Sequence, residues 1–351
     1  MTQHERARRR TTLKEVAERA GVSVATVSKV IHRHADVGAA TRQRVEGALR
    51  DLDYTPVGRP EPPRVVTVVV AFDSFGTVYA TEVLSGLMEQ IVALGVRAVA
   101  DLSPAPGRPP TAEDWVLRHA AAGVRGAVLV TAAIPGELID AAERHGVALV
   151  AIDPKTEVGT TVTTIGATNW AGATSATNHL VELGHRRIAF AGMDLTTDFA
   201  AERFAGYRSS LERAGLALDP EYIGYGGTGF EHGQQIGARF ARLPEPPTAV
   251  VSVSDGVALG VIESARGFGL DCPDDISVVG FDDVQPARWS TPLLTTVRQP
   301  LSEMGALAAR TLLELMDGTR PSSPHIHLAT SLIVRDSTRA LVDATADEAR
   351  R

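Results

Sequence analysis

A single cysteine, Cys272, in 351 residues excludes an intrachain disulfide framework and any zinc site built on several thiolates. It precedes Pro273 in an expected loop and is read as inert. Long apolar runs are missing too, and no stretch approaches the ~18 residues that a membrane-spanning helix needs. The opening MTQHERARRR is charged with no apolar segment behind it, so no secretory signal is expected and the protein is placed in the cytoplasm. Motifs for chemistry are equally scarce. There is no P-loop lysine motif, no HExxH and no GxSxG nucleophile elbow, and the ten histidines show no metal-ligand spacing with carboxylates. Gly224-Tyr225-Gly226-Gly227-Thr228-Gly229 matches the letters of a dinucleotide fingerprint, but no acidic residue follows at a strand end about 20 positions on. Neither an enzyme, a cofactor nor a metal is expected.

Charge is present but unevenly spread. The net charge is −7, yet residues 1–60 hold twelve Arg and Lys against seven Asp and Glu, a balance of +5 that leaves −12 for the rest. A basic head on an acidic body is the asymmetry of a DNA-binding module joined to something else.

The stretch Thr11 to Ile31 reads as two short helices joined by a tight turn. Leu13, Val16, Ala17 and Ala20 recur at three- and four-residue spacing on one face. Thr12 with Glu15 forms a capping-box pattern, and Gly21 supplies the left-handed residue that ends the helix. Ser23 caps the second helix, whose Val27, Val30 and Ile31 turn inward. Val24, Ala25, Thr26, Ser28 and Lys29 then face outward without a large apolar group, a surface suited to the major groove. A third helix is expected over Thr41–Leu52, with Val45, Ala48, Leu49 and Leu52 inward.

LKEVAERAGVSVATVSKV, continued by TRQRVEGALRDLDYTP, resembles the opening of the LacI/GalR family of bacterial transcription regulators. The resemblance implies base reading by Val24, Ala25 and Lys29, and phosphate contacts by Ser23, Thr26 and Ser28. Lys29 replaces a common arginine, so a bidentate guanine contact becomes monodentate. His32 stands where relatives often have asparagine, and Arg42 and Tyr54 are further backbone-contact candidates. The linker TPVGRPEPPR carries four prolines and reads as extended. Relatives place a hinge helix there, ending in a leucine that enters the minor groove; Pro63 falls about where that leucine would be.

From Val65 the chain alternates β-branched runs with amphipathic helices, the pattern of parallel sheets covered on both faces. The expected fold class is α/β, a three-helix head followed by two doubly wound halves of parallel sheet; the family resemblance implies the same, a two-lobed, periplasmic-binding-protein-like core. The expected division is head 1–55, linker 56–64, core 65–340 and tail 341–351. The N-lobe takes 65–163 and 291–323, the C-lobe 164–290 and 324–340. The tail lacks the heptads of a tetramerising coiled coil.

In open parallel sheets, ligands sit at the carboxyl ends of strands. That rule selects Asp73, Ser74 and the nearby Tyr79, then Asp153, Asn169 and Trp170, and finally Asp255, Asp282 and Asp283. Arg203 follows on a helix. Carboxylates accept from hydroxyls, Arg donates in a fork and Trp covers a sugar ring, so a polyhydroxylated effector fits. Asp255 or Ser254 can instead cap a helix, Asp282 or Asp283 can be turn residues, Trp170 can be core, and Arg203 can pair on the surface with Glu202 or Asp198. The resemblance favours effector contacts for Arg203, within ERFAGYRSSLERAG, and for Asp255. Trp170 resembles the oligosaccharide-sensing actinobacterial branch.

The expectation is a homodimeric repressor of carbohydrate genes that binds a double-stranded operator and a mono- or oligosaccharide, with no membrane contact. The alternatives are a solute-binding protein, or a regulator answering to a protein partner. Thr228 and Ser254, at positions where relatives often differ, keep the latter open.

Overall fold

The computed structural model describes residues 11–31, 37–52, 54, 66–105, 107, 109–194 and 196–341. The chain divides into two compact units, Met1–Arg64 and Val65–Arg351.

The first unit packs α1 (Leu13–Ala20), α2 (Val24–Ile31) and α3 (Ala39–Asp51) around Val16, Val27 and Val45, one from each helix and each fully buried. The local signals act as their chemistry dictates. Thr12 Oγ1 accepts the Glu15 N–H, and the Thr12 N–H donates to Glu15 Oε2 at 2.7 Å. Gly21 takes φ 64° at the C-cap of α1. Ser23 Oγ accepts the Thr26 N–H at 3.1 Å, and Thr11 Oγ1 donates to the Leu52 carbonyl at 2.9 Å, closing the head. The third helix starts two residues earlier than its apolar periodicity indicates.

The second unit alternates as its sequence implies. It runs β1 (Thr67–Phe72), α4 (Val78–Ala93), β2 (Arg97–Leu102), α5 (Ala112–Ala121), β3 (Val124–Val130), α6 (Gly136–His145), β4 (Ala148–Ile152) and β5 (Thr163–Ala167). It continues with α7 (Asn169–Glu182), β6 (Ile188–Met193), α8 (Asp198–Arg213), β7 (Ile223–Tyr225), α9 (Phe230–Phe240), β8 (Ala249–Ser252), α10 (Asp255–Gly267) and β9 (Ser277–Asp282). It ends with β10 (Thr295–Arg298), α11 (Leu301–Met316), β11 (His325–Leu328) and β12 (Ser331–Ile333). No helix among the described residues is long and apolar enough to cross a membrane.

Two six-stranded sheets result, ordered β11-β5-β4-β3-β1-β2 and β12-β10-β9-β8-β6-β7. Every pairing is parallel except β10 with β12. The sheets correct the expected lobe division. β5, which lies in 164–290 except for Thr163, belongs to the first sheet beside β4, and β10 belongs to the second. β11 returns to the first sheet and β12 to the second. The chain therefore changes sheets three times, after β5, after β10 and after β11. A β-branched run looks the same whether it extends one sheet or opens the next, so strand rhythm alone leaves the seam undefined.

Helix pairs cover these sheets, and small residues set how closely they pack. A Cβ on Gly86 of α4 would lie 1.9 Å from the Ser302 carbonyl oxygen, and one on Gly305 of α11 would lie 2.1 Å from that of Val83. In the second lobe, Gly233 of α9 and Gly260 of α10 meet the backbone of the partner helix at 2.2 and 2.1 Å in the same sense. Glycine inside a helix lowers its intrinsic stability, so these positions record backbone contact rather than helix preference. Gly305→Ala should destabilise the core unit by about 1–3 kcal/mol through overpacking, read as a lower midpoint in urea unfolding.

Candidate functional site

The head presents one outward face. Val24 of α2 is 43% exposed, Ala25 and Lys29 are exposed beside it, and Thr26 and Ser28 are half-buried. Arg42 on α3 is half-buried, and Tyr54 packs against the head core while its N–H donates to the Leu49 carbonyl at 3.0 Å. His32 lies outside the described residues, as do the linker positions 56–64 and the charged start of the chain. A short helix with small outward groups at its N-terminal end, seated on two others, has the form that enters a major groove.

In the second unit the carboxyl ends of both sheets border one cavity of about 550 Å³. The first lobe contributes Asp73 and Ser74 after β1, Tyr79 at the start of α4, Thr131 after β3, and Asp153 with Lys155 after β4. The second lobe contributes Phe199 and Arg203 of α8, the connection Thr228–Glu231 before and into α9, Ser254 and Asp255 after β8, and Asp282 and Val284 after β9. The volume falls within the ~300–1,000 Å³ typical of small-molecule sites.

Arg203 is the centre of this wall. It is 3% exposed. Its Nε donates to Asn169 Oδ1 at 2.9 Å, and its Nη1 donates to the Val253 carbonyl at 2.5 Å and to Asp282 Oδ1 at 3.4 Å. The guanidinium lies 3.7 Å from the centre of the Phe281 ring, a cation–π contact in a dry setting. Its Nη2 makes no hydrogen bond among the described residues, leaving one charged donor for a guest.

Three buried carboxyl groups, those of Asp153, Asp255 and Asp282, line the cavity with it. Tyr79 Oη donates to Asp153 Oδ2 at 2.6 Å, and Gln299 Nε2 donates to Asp282 Oδ1 at 2.6 Å. Burial raises the Asp153 carboxyl above its ordinary range, partly offset by the Tyr79 hydrogen bond and by Arg203. Burial likewise raises Asp282 to about 6 against the pull of Arg203, and burial with the Asp282 charge raises Asp255 well above the usual carboxylate range. The Tyr79 hydroxyl is raised by burial and by the Asp153 charge.

The backbone beneath these groups is unusual. Thr131, Asp153, Asp282 and Asp283 take φ of 48°, 42°, 116° and 56°, and they are the only non-glycine residues with positive φ among the described residues. All four follow or end strands at the cavity. Asp tolerates the left-handed region better than most residues, yet each such position costs about 1–3 kcal/mol unless its surroundings hold it. Asp283 shows what holds it: its fully buried carboxylate accepts Arg335 Nη2 at 2.5 Å and Arg298 Nε at 2.7 Å, with Arg288 at 3.6 Å.

Of the expected effector contacts, Asp73, Ser74, Tyr79, Asp153, Arg203, Asp255 and Asp282 border the cavity. Asn169 does not. It lines a smaller cavity of about 130 Å³ and serves the main one by orienting Arg203. Trp170 is also corrected: it is 44% exposed, and the guanidinium of Arg213 lies 5.9 Å from its ring. Neighbouring helix residues point about 100° apart, so with Asn169 turned to Arg203, Trp170 must face elsewhere. Asp255 differs in detail. Ser254 supplies the cap of α10, accepting the Val257 N–H at 3.2 Å, while Asp255 accepts Thr296 Oγ1 at 2.5 Å and the Val284 N–H at 2.8 Å. Both its oxygens are thus engaged, and its first duty is to pin the turn that carries Asp282. Arg203 makes no surface pair with Glu202 or Asp198.

Strand-end reasoning passed over Thr131 and Lys155, which lie one and three residues past their strands. It also missed Phe199, one helical turn before Arg203, and Phe230 at the start of α9. A window of three residues past each strand recovers the first two. The phenylalanines carried no local signal. At the rim, Lys155 Nζ donates to Asp73 Oδ2 at 2.6 Å.

Comparisons with known proteins bear on the family and the fold. The family model "Bacterial regulatory proteins, lacI family" matches residues 12–57, and "Periplasmic binding protein-like domain" matches residues 177–338. The chain is 32% identical over 337 residues to the HTH-type transcriptional repressor CytR of Escherichia coli, covering 94% of this chain and 97% of that one. It is 32% identical over 330 residues to the repressor PurR of Erwinia tasmaniensis, covering 93% and 96%. Among solved structures, a complex of the transcriptional regulator CelR with cellobiose superposes with TM-score 0.70 at 30% identity, covering 93% of this chain and 100% of that one. A Lac repressor dimer bound to operator and the anti-inducer ONPF gives TM-score 0.70 at 27% identity, covering 95% and 100%.

The carboxyl at 282 should leave a pH signature. Its folded value near 6 lies above the ordinary 3.8, so the native state holds its proton over a range where the unfolded chain has lost it. That stabilisation is complete below the unfolded value and is lost as pH rises through about 6. Relative to Asp282→Asn, the wild-type unfolding free energy should therefore fall between about pH 4 and pH 6 and then level off, as measured by urea melts across that range.

Proposed function

This chain belongs to the LacI family of bacterial regulatory proteins, and we propose that it represses carbohydrate genes as a homodimer, with a sugar or oligosaccharide as effector in the interlobe cavity. Its head binds operator DNA in the manner of its family, and a dimer pairs two heads with a pseudo-palindromic site. A ligand bound between the lobes favours one lobe arrangement over another, and that shift alters operator affinity. A regulator of this kind works in the cytoplasm, where the chromosome is.

The observation that carries the effector assignment is Arg203. A guanidinium 3% exposed, with one nitrogen left without a partner among the described residues, is set on a cavity wall to donate to an acceptor of a guest. Carboxyls on both sides of the cleft are placed to accept hydroxyls. The likeness to a regulator solved with cellobiose supports an oligosaccharide, although Trp170 does not line this cavity. Thr228 and Ser254, the residues behind the protein co-regulator alternative, both line the cavity, and Ser254 Oγ donates to the Thr228 carbonyl at 2.7 Å.

Footprinting upstream of this gene and neighbouring sugar-uptake genes should show protection that weakens with salt. Lys29→Ala should lower affinity and flatten the slope of log K against log salt by about 1. In thermal-shift screens with mono- and oligosaccharides, Arg203→Ala should weaken the response about 10- to 100-fold, the worth of a charge-assisted hydrogen bond, while Trp170→Ala keeps it. A full response in Arg203→Ala would refute the assignment.

A further inference from the structure

The cavity wall is unbalanced in charge. Asp73, Asp153, Glu231, Asp255 and Asp282 line it, against Lys155 and Arg203 as its only Lys or Arg. Lys155 is committed to Asp73 at 2.6 Å, and Arg203 spends Nε and Nη1 on Asp282 and two neutral oxygens, which leaves only its Nη2. Four helices, α4, α8, α9 and α10, begin at this wall, each with about half a positive charge at its N-terminus, that of α8 offset by Asp198 in its first turn. That does not reverse the balance. Asp255 and Glu231 occupy the first turns of α10 and α9, and Thr77 and Ser254 cap α4 and α10 with their own oxygens.

From this imbalance we propose that the cavity accepts an uncharged sugar and rejects the phosphorylated form of the same sugar. The inference rests on the reading that the effector occupies this cavity. A phosphate would bring about two negative charges toward carboxyls that already repel one another, since Asp282 raises Asp255 and Asp153 raises Asp282. Among the described lining residues it would find only Arg203 Nη2 as a charged side-chain donor without a partner. Hydroxyls suit the wall better. They donate to carboxylate oxygens that have lone pairs to spare, and they accept from Nη2 without adding charge.

Matched pairs test this on the full-length protein at about pH 7.5, where a phosphate ester carries most of its second charge. The pairs are glucose with glucose 6-phosphate, trehalose with trehalose 6-phosphate, and ribose with ribose 5-phosphate, read by thermal shift and calorimetry. In every pair that binds, the neutral member should bind at least about tenfold more tightly, and the gap should narrow as salt screens the wall. Asp73→Asn combined with Glu231→Gln removes two rim charges and frees Lys155. Both sites are partly exposed, so the fold should tolerate the change, and the gap should shrink to about threefold or less.

A phosphorylated member that binds as well as its neutral partner overturns the proposal, as does a gap that the double variant leaves unchanged. If no neutral member of any pair binds, this inference also falls, while protected operator DNA would keep the regulator reading intact. Loss of specific DNA protection would instead count against that reading.

Discussion

A single buried guanidinium organises the ligand cleft. Arg203 sits on α8, but its donors reach Asn169 at the start of α7, the Val253 carbonyl after β8 and Asp282 at the end of β9, while its face rests on Phe281. Moving such a charge out of water is costly unless hydrogen bonds and a counter-charge replace the lost hydration. Here they come from three different segments, so those segments cannot shift independently without uncovering the charge. The same contacts spend Nε and Nη1 on the protein and leave Nη2 for a guest. Structure and recognition draw on one side chain.

The acidic turn opposite Arg203 is held from both sides. Asp282 faces the cavity and Asp283 faces away, and both adopt positive φ. Two such residues in succession would relax if left alone. Three arginines grip Asp283 from outside, Gln299 holds Asp282 from within, and Asp255 accepts the N–H of Val284. The strained turn is therefore over-determined by its surroundings, which lets a non-glycine backbone present a carboxylate at the strand end. Such pre-organisation reduces the ordering that ligand binding must still bring about.

Much of this was legible in the chain. The head was readable almost residue by residue, because capping boxes, glycine C-caps and helical periodicity are local effects of neighbouring side chains. Seven of the ten residues selected for the cleft border the cavity, because strand ends in parallel sheets converge whatever the sequence. Trp170 failed for a local reason with a tertiary cause: the face of α7 that meets the cleft was taken by Asn169, whose partner is 34 residues away. The lobe division failed because β5 and β10 carry no mark of which sheet they join. Phe199 and Phe230 stayed hidden because an aromatic on a helix looks like core until the opposing wall is known.

The sequence by itself determined the element order, the helix caps, the basic head on an acidic body and the strand ends where chemistry could gather. All of these depend on interactions within a few residues or on simple composition. Only the tertiary structure decided which sheet each late strand enters, which side chain at a strand end faces the cavity, and which charges there are already paired. Those outcomes depend on contacts between segments dozens of residues apart. Arg203 and Asp282, 79 positions apart, become a buried pair only when both sheets have formed.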